Sequence, residues 1–572
     1  MSVRRNAFSN WFEPVSSVLT RRTGDNGPAY TFVDYLDDVN GVKRTITWSE
    51  LDSRARAIAA RLADVSVPGE RVALLCPQNL DYVAGFFGTL YAGMIAVPLH
   101  APEVGTNPNR LVGALADCDP EVWLTSGAAV QGVRDLLDQY PIPRPKELVV
   151  VDCLPDRDFE PVQAYADQPA YLQYTSGSTR NPAGAVITHG ALTANVGQAQ
   201  VAFGADVNTT CVGWLPLFHD MGLVNLLALP AALGCRSVFT TPFAFVRKPV
   251  RWLKMLGEYP DAVSAAPNFA FDYAAAALSE KDLNGLDLSR VKVIINGSEP
   301  IRAATIENFL AVTGPLGFRA TAHRPSYGLA EATVFVSTTS PGVAPKATTF
   351  DRTRLGPGER AVMVDDDADR AVQLVSVGWA VGQDLRIVVD GRVVSDGIVG
   401  EIWIHGPNVA DGYWRQPERT AESFGGRLLN GTPEAGWLRT GDLGVIHSGE
   451  LYVAGRLKDL IIVDGTNHYP QDIEATVQQA HPAIRRDRLA VFSIERDGRE
   501  GPVVVAEYSA RVTMHDELAD EIGRLVRAAV ARRHALRLLD FVMVPPGTVA
   551  RTSSGKIARS ATRRRYLDGE LR

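Results

Sequence analysis

The sequence predicts an α/β protein, with a large N-terminal domain of α/β sheet subdomains plus a small β unit, followed by a small α+β C-terminal domain. Three observations predict this. Helical stretches alternate with short β-rich runs over the first part of the chain, as in parallel sheets covered on both faces. At about residues 377–453 the texture changes to short β-rich runs such as LRIVVDGRVV, GEIWIHG and GELYVAG, separated by Gly, Asp and Asn. Mixed α and β patterning then returns to the end of the chain. The length of 572 residues, against roughly 100–200 per domain, accommodates several such units.

Residues 46–63 (ITWSELDSRARAIAARLA) space apolar and alanine residues as a helix does, behind a Trp-Ser-Glu start, and 71–76 (RVALLC) reads as a short buried strand. The pattern recurs as 82–93 then 94–98, 109–117 then 122–125, and 130–139 then 147–151. Residues 82–99 (YVAGFFGTLYAGMIAVPL) approach the length of a membrane span. They hold three glycines and a late proline without a Lys/Arg flank, so they read as a buried helix running into a strand. The segment GRLKDLIIVDG (455–465) marks the main boundary, and no repeat of 20–50 residues is visible. Residues 340–371, rich in Gly, Pro and charge, read as an insertion or mobile loop whose individual charges are solvated.

Composition narrows the function. Hydrophobic residues make up 46% and charged residues 22%, the balance of a protein that buries a large core. With 58 Lys+Arg against 65 Asp+Glu, the formal charge of −7 gives no general attraction to nucleic acid or an anionic membrane. The five cysteines are scattered, without CxxC or metal spacing, and no apolar run of 7–15 residues follows the N-terminal arginines. A reduced, cytoplasmic protein with no transmembrane segment is expected.

Chemistry concentrates in a few segments. In YLQYTSGSTRNPAG (171–184), Thr175, Ser176, Ser178 and Thr179 surround Gly177. Small residues let such a loop aim backbone N–H groups and hydroxyls at phosphate oxygens, although a Ser/Thr-rich surface turn has the same composition. The pattern GxxxxGK[ST] is absent: at Gly555-Lys556, Ala550 stands where its first glycine belongs and Ile557 where its hydroxyl belongs. GWLPLFHDMGLV (213–224), NGSEP (296–300), SYGLAEAT (326–333), RTGDLG (439–444), GRLKD (455–459) and RTSSGKIAR (551–559) likewise set polar residues among small or apolar ones.

Together and in this order, these segments make the chain resemble the adenylate-forming superfamily of acyl-CoA ligases, peptide-synthetase adenylation domains and luciferases. The wording YLQYTSGSTR, WLPLFHDMGL, SYGLAEATVFVST and GRLKDLIIVDGTNHYPQDIEATVQ is most similar to fatty acyl-AMP ligases of the mycobacterial type that load polyketide synthases. The resemblance spans about residues 48–565. It implies an N-terminal domain at 1–455 and a mobile C-terminal domain at 456–572, hinged at Lys458. It also implies an AMP-forming acid ligase that uses ATP and Mg²⁺.

Motif position then implies roles. Thr175, Ser176, Gly177, Ser178 and Thr179 hold phosphates, and Glu331 binds Mg²⁺. Gly297, Ser298, Glu299, Ser326, Tyr327 and Gly328 line the adenine. Asp442 accepts the ribose hydroxyls, being acceptor-only when ionised, and Arg456 reaches the nucleotide. Lys556 is the adenylation lysine, bridging carboxylate and α-phosphate as charge builds. His219 of Phe218-His219-Asp220 stands where amino-acid-activating relatives carry the aspartate that pairs with an α-ammonium, so a simple carboxylate is favoured; a hydrogen-bonded core histidine is the other reading. Residues 223–234 and 264–278 are apolar enough to line an acyl tunnel or to be plain core.

Two departures from the broad superfamily are visible. Arg180 and Ala183 replace the usual loop glycine and lysine, so Arg180 is expected to supply the displaced positive charge, and Ala330 replaces a frequent threonine. Both agree with the fatty acyl-AMP ligase branch, as does an insertion at about 338–374 that this branch uses to restrict the movement needed for CoA-dependent transfer. The expected acceptor is therefore the phosphopantetheine thiol of an acyl carrier protein or polyketide synthase, with a medium- to long-chain fatty acid as substrate. A fatty acyl-CoA ligase and a catalytically silent nucleotide- or lipid-binding regulator are the alternatives.

Overall fold

The computed structural model describes residues 13–102, 108–174, 182–283, 285–463, 466–496, 499–551 and 556–571. Its first half is built from helices and strands in the predicted alternation. Helix Trp48–Val65 starts at a capping box, in which the Thr47 side chain accepts from the Glu50 N–H and the Glu50 carboxylate accepts from the Thr47 N–H. Trp48, Leu51, Ala55, Ile58 and Leu62 form its buried stripe. Helix Leu80–Tyr91, capped by Asn79, is buried on all sides from Tyr82 to Tyr91 and leads into strand Ile95–Pro98. The uncharged stretch is thus core, and no helix among the described residues is long and apolar enough to cross a membrane.

Two large sheets form the body. A six-stranded sheet runs in the order Glu147–Val150, Val122–Thr125, Arg71–Leu74, Ile95–Pro98, Pro169–Tyr174, Gly184–Thr188, parallel except for the last pair. A nine-stranded sheet has six parallel central strands, in the order His323–Gly328, Val291–Gly297, Ala262–Pro267, Thr210–Gly213, Arg236–Phe239, Pro28–Asp34. Antiparallel strands Phe335–Thr338 and Val42–Thr47 flank this parallel block. The largest core cluster, including Tyr30, Phe86, Phe87 and Tyr171, draws residues from both sheets.

The β-rich texture is an antiparallel sheet of Asp384–Val389, Gly400–His405, Ala435–His447 and Glu450–Arg456, with short edge strands. Two details differ from the expectation. Its last strand continues to Arg456, and Trp379–Ala380 pairs instead with Phe335–Thr338 of the nine-stranded sheet. Composition marks a strand but not its hydrogen-bonding partner.

The segment expected to be a solvated insertion is also more ordered than its composition suggests. Ala347–Asp351 and Ala371–Val375 pair as an antiparallel ribbon, and Phe350 and Leu355 pack into a core with Tyr452 and Tyr469. Arg352, one of the charges read as solvated, is buried. The C-terminal segment contains the sheet Ile484–Arg496, Arg499–Tyr508, Asp540–Val544, flanked by helices Pro470–Ala480, Asp516–His534 and Arg559–Leu567.

Candidate active site

The carboxyl ends of three adjacent parallel strands, Ala262–Pro267, Val291–Gly297 and His323–Gly328, open onto one cleft, the usual ligand position of an α/β sheet. The cleft has a volume of about 840 Å³, and residues of the C-terminal segment line part of it. Backbone geometry here is tight. Ser298 has a φ of 70°, rare for a residue with a side chain. A Cβ on Gly328 would lie 1.7 Å from the Val334 carbonyl oxygen, so only glycine fits where the chain turns back toward Ala330–Ala332.

That turn carries Glu331 on the cleft wall. The Tyr413 hydroxyl donates to its Oε1 at 2.7 Å, and its carbonyl accepts from the Ala410 N–H at 2.9 Å. Across the cleft, strands Ala435–His447 and Glu450–Arg456 place Asp442 directly opposite Arg456. Asp442, 6% exposed, accepts from the Tyr327 hydroxyl at 2.7 Å through Oδ2 and pairs with Arg456 Nε at 3.2 Å through Oδ1. The Asp442 charge raises the Arg456 pKa.

Lys556 reaches this cleft from the C-terminal segment. Burial pushes its ammonium below the ordinary lysine value, and Asp220 and Glu299 oppose that shift. Asp220 pairs with His219 Nδ1 at 2.5 Å and accepts from the Met221 N–H at 2.6 Å. Burial raises the Asp220 pKa, but His219, Lys556 and that N–H outweigh it and hold the carboxyl low. Glu299 is raised instead, chiefly by burial, although it accepts from the Phe269 N–H at 2.7 Å.

Of the residues singled out from sequence, His219, Ser298, Glu299, Ser326, Tyr327, Gly328, Glu331, Asp442, Arg456, Lys458 and Lys556 all line the large cleft. Gly297 lines a smaller, apolar cavity of about 60 Å³ below it, together with Met221, Val224, Leu229, Phe203 and Phe335. Residues from both apolar stretches, 223–234 and 264–278, contribute: Val224 and Leu229 to this cavity, Asn268 and Phe269 to the cleft. Lys458 lies in the turn Leu457–Asp459. Thr175, Ser176, Gly177, Ser178, Thr179 and Arg180 lie outside the described residues.

Three residues escaped the sequence reading. Asp220 was visible beside His219, but that both line the cleft as a pair depends on the fold. Tyr413 lies far from Glu331 in the chain and carried no motif. Arg302, two residues after NGSEP, looked like any surface cation, yet it lines the cleft and binds the C-terminal segment.

A cleft of this kind, at the strand ends of an α/β body and covered by a C-terminal segment that contributes a lysine, defines an adenylate-forming enzyme. The profile of the AMP-binding enzymes matches residues 20–414, and one described as Disco-interacting protein 2-like, AMP domain matches residues 458–572. The chain is 43% identical to the long-chain-fatty-acid–AMP ligase FadD32 of Mycolicibacterium smegmatis, over 95% of this chain and 92% of that one. It is 42% identical to the long-chain-fatty-acid–AMP ligase FadD26 of Mycobacterium marinum, over 95% and 94%. The crystal structure of a fatty acyl-adenylate ligase from Legionella pneumophila, in complex with acyl adenylate and pyrophosphate, superposes with a TM-score of 0.74 at 32% identity, covering 99% of this chain and 98% of that one. The chain belongs to the AMP-binding enzymes, within their fatty acyl-AMP ligase branch.

Proposed function

We propose that this enzyme joins a medium- to long-chain fatty acid to the AMP moiety of ATP and passes the acyl group to the phosphopantetheine thiol of an acyl carrier protein or polyketide synthase. The observation that carries the reading is Lys556, delivered by the C-terminal segment into the cleft that holds Asp220, Glu299, Asp442 and Arg456. In the first step a carboxylate oxygen attacks the α-phosphorus and the bond to pyrophosphate breaks. Two anions must meet, and a lysine at their junction offsets the repulsion as charge builds.

The other residues take the parts that their motif positions imply. Asp442 has lone pairs left for ribose hydroxyls beyond those used by Tyr327 and Arg456. Ser298, Glu299, Ser326, Tyr327 and Gly328 line the cleft where the base would lie, with Gly297 behind them, and the phosphates are assigned by motif to Arg180 and the loop 175–179. His219, engaged by Asp220, keeps the acyl side of the cleft from presenting an aspartate alone, and the apolar cavity bounded by Phe203 and Phe335 has room for only the first part of the acyl chain.

Mg²⁺ fits this donor set. It is commonly held by one or two carboxylates completed by substrate phosphates, and the described residues contain no cluster of three or more potential protein ligands. Glu331 would hold it, with Tyr413 fixing one carboxylate oxygen. Bound there, the ion neutralises charge on phosphate oxygens.

In the second step the C-terminal domain, about 456–572, turns about Lys458, and the thiol sulfur attacks the acyl carbonyl carbon as the bond to AMP breaks. Preference for a carrier over CoA is supported by the insertion ribbon: Arg352 Nη1 donates to His534 Nδ1 at 3.0 Å, tying the ribbon to helix Asp516–His534. Purified enzyme with MgATP, fatty acids of increasing length, and CoA present or absent tests the reading. Acyl-AMP that accumulates and is not consumed by CoA is expected; efficient acyl-CoA formation would transfer the function to an acyl-CoA ligase.

A further inference from the structure

Arg302 stands at the N-terminal boundary of helix Ala303–Thr313, on the N-terminal side of the cleft, and its guanidinium is oriented before anything from the C-terminal segment is considered. Nη2 donates to Asp272 Oδ2 at 2.8 Å and Nε to Thr305 Oγ1 at 3.3 Å, and the Thr305 hydroxyl donates in turn to Asp272 at 2.8 Å. What remains of the fork meets Asp487 of the C-terminal segment, Nη1 to Oδ1 at 2.6 Å and Nη2 to Oδ2 at 3.4 Å. Asp487 is presented from a left-handed turn, φ 54°, at the register shift between Ile484 and Leu489, with its N–H donated to Gln478 Oε1 at 3.2 Å.

From this pair a row of contacts leads to the lysine. Arg488 donates to the Tyr273 hydroxyl at 3.4 Å, and the Arg551 guanidinium lies 5.8 Å over the Phe269 ring. Arg551 bridges to Ile557, the residue after Lys556. Phe269 in turn donates its N–H to Glu299, which faces Lys556. The same helix, Asn268–Ala277, therefore supplies Asp272, Tyr273 and Phe269 to the whole row.

We infer that Arg302 and Asp487 are positioning residues for acyl-adenylate formation: their pair docks the C-terminal segment so that Lys556 enters the cleft, and it opens when that segment leaves for acyl transfer. The inference rests on the two-step reading above. A forked Arg–carboxylate pair is directional, while side-chain exposures of 34% and 24% leave it partly screened, so it can hold one arrangement and still release it.

Two half-reactions separate positioning from general damage. With dodecanoate and MgATP, Asp487→Asn is expected to lower kcat for dodecanoyl-AMP formation about fivefold with little change in the KM for ATP. Asp487→Glu restores most of the rate. Transfer from supplied dodecanoyl-AMP to pantetheine stays unchanged or rises, and in the Lys556→Ala background, where the lysine is no longer there to be positioned, Asp487→Asn adds no further loss. Equal losses in both half-reactions, no loss in either, or a full further loss in the Lys556→Ala background would overturn the inference. Failure of the unsubstituted enzyme to form dodecanoyl-AMP would instead overturn the functional reading beneath it.

Discussion

Replacing Arg352 by methionine keeps much of the length of the side chain and removes the cation that ties the insertion ribbon to the C-terminal segment. Arg352 is 6% exposed; it donates to His534 Nδ1 at 3.0 Å and to the carbonyl oxygens of Arg370, at 3.3 Å, and Ala371. Only the His534 bond crosses to the C-terminal segment. His534 Nε2 lies 2.7 Å from Thr476 Oγ1, whose hydroxyl donates to the Asp472 carbonyl at 3.2 Å, so the imidazole is a neutral ring that accepts at Nδ1 and donates at Nε2. A hydrogen bond to a charged group contributes roughly 1.5–3 kcal/mol. Losing about 2 kcal/mol of docking moves the ratio of docked to released arrangements by about thirtyfold. If this contact restrains the rotation needed for transfer to CoA, Arg352→Met forms acyl-CoA at a rate raised by up to that factor while acyl-AMP formation persists. Chromatography of acyl-AMP and acyl-CoA after incubation with MgATP, fatty acid and CoA reads both products. A folded, adenylating Arg352→Met enzyme that yields no more acyl-CoA than the parent would refute the reasoning.

Tyr413→Phe deletes the donor that holds Glu331 Oε1, a bond of 2.7 Å, and is expected to raise the Mg²⁺ concentration for half-maximal pyrophosphate release about tenfold; an unchanged Mg²⁺ dependence removes Tyr413 from the site. Gly328→Ala puts a Cβ 1.7 Å from the Val334 carbonyl oxygen, so urea titration should show destabilisation of about 1–3 kcal/mol, and parental stability would mean that the turn yields freely. Burial lowers His323 and His534 to about 3 and His100 and His189 to about 4, from an ordinary 6.5. Between pH 6.5 and about 4 the unfolded chain therefore binds protons that the folded chain does not, and each histidine removes up to about 1.4 kcal/mol of stability per pH unit as pH falls. Asp472, raised to about 6 by burial, acts in the opposite direction between pH 6 and 3.8, as do the raised carboxyls of Glu299 and Asp272, while the lowered His468 acts with the other rings. Denaturant midpoints at pH 7.5 and 5.5 should differ accordingly, with the lower pH less stable; equal midpoints would mean that these rings are not buried neutral.

What could be read from sequence and what could not divide along physical lines. The helix–strand alternation was legible because local periodicity and caps, such as Thr47 with Glu50, set those elements within a few residues. The cleft residues were legible because Tyr327, Glu331, Asp442 and Lys556 sit in motifs that resemble those of adenylate-forming enzymes, some of which place glycine where backbones approach one another closely. Glycine at 328 is the clearest instance, demanded by the Val334 carbonyl. The insertion was misread for the converse reason. Its charges and prolines describe a solvated segment, and only tertiary packing of Phe350 and Leu355 against Tyr452 and Tyr469 buries it and draws Arg352 inside.

The contacts that join the two parts of the chain had no local signature. Arg302 and Asp487 are 185 positions apart and Arg352 and His534 are 182 apart, and each pair unites residue types that are common on any surface. Neither pair forms unless the C-terminal segment is docked. Motifs mark the chemistry of an adenylation site, where donors and acceptors must meet a substrate in fixed geometry. The same substrate places no demand on which surface residues hold the C-terminal segment over it, provided the pairs are weak enough to part. Arg302–Asp487 is partly exposed, whereas Arg352 is buried, so the two contacts should open with different ease. Rotation that breaks only the first leaves the ribbon attached to helix Asp516–His534; rotation that breaks both must still part Tyr469 from Leu355, whose carbonyl oxygen accepts from the Tyr469 hydroxyl at 2.7 Å.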